Sequence, residues 1–191
     1  MLTPELLLAA YRRGIFPMAI NAQGQIGWFS PDPRAVIPLD DRFHIPHGLR
    51  RVLKKNRFTV TFDREFERVM RECADRPEGT WISEEIIRAY CGLHRLGFAH
   101  SVETRLGEQL VGGLYGVHIG GAFFGESMFY RVSDASKVAL VALVERLRKQ
   151  GFVLLDAQWQ TPHLAQFGTE EIPRTEYLRR LRHAITLQCV F

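Results

Sequence analysis

The stretch SDASKVALVALVERLRKQGFVLLDAQ, residues 133–158, decides the fold class. Ser133 and Asp134 are helix starters, the run behind them is strongly apolar, and Gly151 supplies the left-handed turn that ends a helix. Phe152–Gln158 then reads as a buried strand. A second strand, Ala122–Tyr130, precedes the helix. Strand, helix and strand in this order fit a mixed α/β sheet with helices packed on it.

Both strands carry acids where a buried strand should carry none. Side chains alternate faces along a strand, which predicts Phe152, Leu154, Asp156 and Gln158 on one face. Asp156 and Gln158 are then neighbours, roughly 7 Å apart. The same rule groups Phe124, Glu126 and Met128. A buried carboxylate without a partner is costly, so each acid must be hydrogen-bonded, paired or turned to a cleft. Their position at the ends of apolar strands marks a site.

Outward from this unit, Thr3-Pro4-Glu5 reads as the start of a helix closed by Gly14. Gly14 to Gly27 is turn-rich. Ser30-Pro31-Asp32-Pro33 is rigid punctuation, and a boundary is expected there, with a small N-terminal domain over residues 1–33 and the main domain over 34–191. Pro46–Lys55 is expected to be a short basic helix with Leu49, Val52 and Leu53 inward. Phe58–Phe62 reads as a strand. Asp63 is expected to cap a helix bearing Phe66, Val69, Met70 and Cys73, and Ser83 to cap another. His100–Arg105 and Gln109–Val117 read as strands, His118–Gly121 as a tight turn, and Pro173 as the start of a last helix.

Apolar residues are 46% of the 191 and charged residues 24%, the balance of a globular chain with a core. Cys73, Cys91 and Cys189 have no metal-type spacing and are odd in number, which points to a reducing compartment. No signal peptide and no membrane-length apolar run is visible. Charge is uneven: residues 1–62 hold nine Lys/Arg against four Asp/Glu, the remainder 16 against 17. From Arg42 to Arg57 there are six basic residues and no acid. Such a patch is either a solvated helix face or the footprint of a polyanion.

Other chemistries find little support. His44 and His47 lack a third metal ligand and read as surface residues. There is no Gly-x-Ser-x-Gly, no Walker A loop and no Gly-x-Gly-x-x-Gly, so no cofactor and no metal are expected.

Nine motifs in order carry a family resemblance: Gly14-Ile-Phe-Pro17, Trp28-Phe-Ser-Pro-Asp-Pro-Arg-Ala-Val36, Glu78-Gly-Thr-Trp-Ile82, His94-Arg-Leu-Gly-Phe-Ala-His-Ser-Val-Glu103, Leu110-Val-Gly-Gly-Leu-Tyr-Gly-Val117, Gly125-Glu-Ser-Met-Phe129, Asp134-Ala-Ser-Lys137, Leu155-Asp-Ala-Gln158 and Glu171-Ile-Pro-Arg174. Together they resemble the leucyl/phenylalanyl-tRNA–protein transferases from about Leu7 to Leu181.

The resemblance implies a GNAT-like acyltransferase domain in a cytoplasmic bacterial enzyme, with a shortened N-terminal domain and a monomeric state. It implies transfer of Leu or Phe, less readily Met, from aminoacyl-tRNA to proteins beginning with Arg or Lys, which generates N-degrons for proteolysis. It also assigns roles. Asp156, Gln158 and Glu126 match the catalytic residues. Trp81, Leu114, Phe123, Met128, Leu140, Leu143, Leu147 and Leu155 match the substrate site. Met18 joins them, standing where many members have a Trp that stacks on the terminal adenine. Arg50, Arg51, Lys54, Lys55 and Arg57 overlie the tRNA-contacting region. The proposed pairing has Asp156 orient Gln158, whose amide oxygen accepts from the attacking amine, while Glu126 and Asp156 lend the site negative charge. The GNAT phosphate loop is absent, so acetyl-CoA is not the expected donor. The rivals are an aminoacyl-tRNA-dependent transferase with another acceptor and a non-catalytic tRNA-binding module.

Overall fold

The apolar run forms a helix over Ala135–Lys149, and Gly151, at φ +78°, turns the chain so that the Phe152 amide closes on the Leu147 carbonyl at 3.0 Å. In the computed structural model, which describes residues 1–191, the elements run α1 (Pro4–Tyr11), β1 (Phe16–Ala19), β2 (Ile26–Phe29), β3 (Arg34–Ile37), α2 (His47–Lys54), β4 (Thr59–Phe62), α3 (Phe66–Ala74), α4 (Glu84–Arg95), β5 (Ala99–Leu106), β6 (Gln109–Ile119), β7 (Ala122–Tyr130), α5 (Ala135–Lys149), β8 (Leu154–Gln158), α6 (Pro162–Ala165), β9 (Glu170–Ile172) and α7 (Arg174–Ala184). The mixed α/β architecture expected from the sequence is the one observed. No helix is long and apolar enough to cross a membrane.

Seven strands form one sheet in the order β4-β5-β6-β7-β8-β3-β9, and β1 and β2 pair separately as a hairpin. Every pairing is antiparallel except β7 with β8, which α5 joins as a crossover. Helices cover both faces. One face carries Tyr115, Val117, Phe124 and Leu154 against α1, α3, α4 and α7. The other carries Leu114, Phe123 and Leu155 against α5 and Leu49 of α2. Residues 1–16 contribute Leu2, Leu7, Leu8, Tyr11 and Phe16 to the first of these clusters, so the N-terminal piece shares a core with the sheet.

Two irregularities position the site. The parallel pairing of β7 and β8 covers only Ala122–Phe124 against Leu154–Asp156, so the strands part at the next residues. On its other edge, β7 slips one residue against β6: Tyr115 faces Ser127, but Gly116 faces Gly125. Glu126 is the extra residue of this bulge.

The bulge corrects the expected grouping. Phe124 lies in the α1 face, yet Met128 packs with Leu114 against the α5 layer, and Phe129 takes the α1 face instead. Glu126 therefore keeps company with Phe124 but not with Met128. A second correction concerns Phe152, which precedes β8 and packs in the α5 layer while Leu154 faces α1. A third concerns Asp63. It does not cap α3; it sits at φ +57° and accepts hydrogen bonds from the Ser101 amide at 2.9 Å and His100 Nδ1 at 2.7 Å.

Candidate active site

Where β7 and β8 part, the three polar residues read from the sequence meet. Gln158 Nε2 donates to Glu126 Oε1 at 3.2 Å, and the Gln158 amide donates to Asp156 Oδ1 at 2.9 Å. Exposure is 8% for Glu126, 1% for Asp156 and 6% for Gln158. Gln158 holds a left-handed backbone, φ +64°, unusual for a residue with a side chain. The Asp156 carboxylate and the pairing of Gln158 with Ala35 hold it there. The amide oxygen of Gln158 receives no hydrogen bond from the protein.

Asp156 does not face the parting. Arg34, with no exposed surface, grips it in a fork: Nε to Oδ1 at 2.9 Å and Nη2 to Oδ2 at 2.6 Å. Tyr177 donates to the same Oδ2 at 2.9 Å. Arg34 itself lies 5.0 Å from the Phe16 ring centre and 4.2 Å from that of Tyr177, and it donates to the Gly14 carbonyl. Burial works against its charge, but Asp156 outweighs burial and holds the guanidinium protonated. The expected joint negative charge of Glu126 and Asp156 therefore does not arise, because Arg34 balances Asp156.

Glu126 is different. Tyr11 donates to its Oε1 at 2.5 Å, and Tyr11 is in turn hydrogen-bonded to Tyr90. Oε2 is buried and has no partner. Burial, reinforced by the nearby charge of Asp156, pushes the carboxyl up to about 8 against the Tyr11 and Gln158 hydrogen bonds. At pH 7 the group is mainly neutral, with a minor ionised fraction that grows as the pH approaches 8.

A pH dependence of stability follows. The unfolded chain releases this proton near 4.5, the folded chain near 8. Between those values the folded state binds more protons, so stability falls as pH rises and levels off above about 8. Each unit of difference is about 1.4 kcal/mol. Glu126→Gln should equal the parent at pH 5 and exceed it by several kcal/mol at pH 8.5, read from urea midpoints. A difference that stays constant across this range contradicts the burial of an ionisable Glu126.

The family match decides what such a site belongs to. The description "Leucyl/phenylalanyl-tRNA protein transferase" matches residues 36–182, and its N-terminal domain matches residues 1–32. The chain belongs to the leucyl/phenylalanyl-tRNA–protein transferase family. Relatives of that name include one from Rubrobacter xylanophilus, 60% identical over all of this chain and 98% of that one. Those from Gloeobacter violaceus and Akkermansia muciniphila are 59% and 57% identical, each covered to at least 97%. Among solved structures, L-PGS from Bacillus licheniformis matches 78% of this chain and 50% of its own, at a TM-score of 0.47 and 16% identity.

The other residues singled out by the family resemblance fall into three places. Leu114, Phe123, Leu140, Leu143, Leu147 and Leu155 come together between the sheet and α5, each no more than 3% exposed, with half-buried Met128 beside them. Trp81 and Met18 pack instead on the α1 face, joined by the hydrogen bond from the Ala19 amide to the Trp81 carbonyl. Arg50, Arg51 and Lys54 lie on α2, Lys55 and Arg57 just after it; all five are exposed, and none has a carboxylate within 4.0 Å.

Sequence reading missed Arg34, Tyr11 and Tyr90. For Arg34 the signal was present: a cation opens the otherwise apolar strand Arg34-Ala-Val-Ile37, the mirror of the argument applied to Asp156. A tyrosine on an amphipathic helix carries no such signal, since it is indistinguishable from an ordinary core residue. Trp159 was also overlooked; it is 41% exposed beside Gln158, its ring 5.2 Å from Phe16.

Proposed function

We propose that this chain transfers a leucyl or phenylalanyl group from the ester of its tRNA to the α-amine of proteins beginning with Arg or Lys, producing N-degrons. The observation that carries the chemistry is Glu126: a buried carboxyl raised to about 8, with one oxygen free, beside a glutamine whose amide oxygen is also free. The α-amine has an ordinary pKa near 8. Donor and acceptor of the proton are thus matched, the condition under which a general base works best.

The reaction needs no activation by ATP, because the ester is already activated. The neutral acceptor amine hydrogen-bonds to Gln158 Oε1, and one of its two protons passes to the ionised form of Glu126 as it attacks. Its nitrogen forms a bond to the ester carbonyl carbon, the bond to the ribose oxygen breaks, and that oxygen takes this proton from Glu126, which returns to the carboxylate. Holding the partners together is worth about 7–11 kcal/mol of barrier, so Gln158 acts chiefly by orientation. Asp156 and Arg34 position Gln158 rather than exchange protons. The donor side chain enters the α5 layer through the parting of β7 and β8, with the flexible thioether of Met128 giving way at its mouth. Arg50, Arg51, Lys54, Lys55 and Arg57 hold the RNA by its phosphates.

The balance of Asp156 by Arg34 favours a second reading of acceptor choice, in which the chain also takes acceptors without a basic first residue. The test mixes purified protein with Leu-tRNA or Phe-tRNA and peptides beginning with Arg, Lys or Asp. Product on Arg and Lys peptides alone is expected. Product on the Asp peptide as well supports the second reading, and tRNA binding without product on any peptide would falsify the transferase assignment.

A further inference from the structure

Arg76 stands in the exposed segment after α3, where it is surrounded in sequence by Glu72, Asp75 and Glu78. It pairs with none of them. Glu72 and Asp75 are taken by Arg131, at 2.6 and 2.7 Å. Arg71, on the same helix, is likewise neutralised by Glu67 and Glu84. Arg76 instead spends its hydrogen bonds on neutral groups: Nε to the Cys73 carbonyl at 2.9 Å, Nη2 to Ser127 Oγ at 3.2 Å and Nη2 to the Met128 carbonyl at 3.0 Å. Nη1 has no partner. Ser127 and Met128 directly follow Glu126, on the part of β7 beyond its pairing with β8.

The guanidinium is therefore fixed in orientation while its charge stays unpaired, held by the two residues that follow Glu126 in β7. An exposed arginine is ordinarily mobile or paired; here a rigid frame holds the cation with a free N–H edge. That arrangement suits a phosphodiester, one of whose oxygens the free Nη1 of the charged guanidinium can hold by a charge-assisted hydrogen bond. Building on the transferase reading, we infer that Arg76 binds the last internucleotide phosphate of the donor RNA and thereby sets the terminal ribose ester against Glu126 and Gln158. The α2 cations grip the RNA at a distance; Arg76 registers its end.

A phosphate-free donor separates this role from a structural one. Leucyl-adenosine carries the same ester and no phosphate. Arg76→Ala should raise KM for Leu-tRNA about 30-fold, as for loss of a charged hydrogen bond, while keeping at least half of its kcat/KM with leucyl-adenosine. Arg76→Lys, which keeps the charge but loses the planar frame that aims it, should fall between on Leu-tRNA and match the parent on leucyl-adenosine, and it carries the test if the alanine variant does not fold. Equal losses with both donors, or no loss with either, overturn the proposal. The parent protein reports separately on the reading beneath it: if it uses neither donor, the transferase assignment fails; if it uses both and the variants do not discriminate, only the role of Arg76 fails.

Discussion

Arg34→Met should lower the unfolding free energy by about 3–5 kcal/mol, the usual result of removing one partner from a buried ion pair. The loss comes less from missing contacts than from Asp156, left at 1% exposure with the Tyr177 hydroxyl and one amide as its remaining donors. A second substitution separates the two. Asp156→Asn on top of Arg34→Met removes the orphaned charge but keeps an oxygen for the Gln158 amide, so most of the lost stability should return. Urea denaturation of the three proteins at pH 7 measures this. A double variant no more stable than Arg34→Met would mean that the stacking of Arg34 on Phe16 and Tyr177, not the charge balance, dominates.

Glu126→Gln should reduce kcat by about 100- to 1,000-fold, within the range for loss of a general base, with little change in KM for the aminoacyl-tRNA. The substitution is nearly isosteric, and its amide oxygen can still accept from Tyr11 and Gln158, so the fold should survive. Gln158→Ala should produce a loss of similar size by freeing the acceptor amine to misalign. The rate of the parent should rise through a pH near 8 as Glu126 and the α-ammonium lose their protons together, and the variant should show the amine limb alone. If single-turnover rates of Glu126→Gln stay within threefold of the parent, proton transfer runs elsewhere.

The sheet's centre was readable from the sequence because its signals are physical and local. The apolar run before Gly151 could only be a buried helix, and Glu126 and Asp156 stood out as charges in apolar strands. What was hidden depended on tertiary context. The strands Phe16–Ala19, Ile26–Phe29 and Arg34–Ile37 are four residues each, too short for alternation to register, and proline punctuates them. The bulge at Glu126 defeated the alternation rule itself, since a strict period of two assumes that no residue is extra. Met128 consequently changed faces. Asp63 looked like a helix cap, but His100 and Ser101 offered it better partners from across the sheet.

The groups that converge on Glu126 and Asp156 come from Tyr11, Arg34, Tyr90, Gln158 and Tyr177, spread along nearly the whole chain. Contacts so distant in sequence form late and slowly. A chain emerging from the ribosome therefore exposes Tyr11 long before Glu126 exists, and its Asp156 cannot be fully satisfied until α7 is made. The polar centre is completed only once α7 has been made: a nascent chain that stops short of Tyr177 lacks one of the donors that hold Asp156.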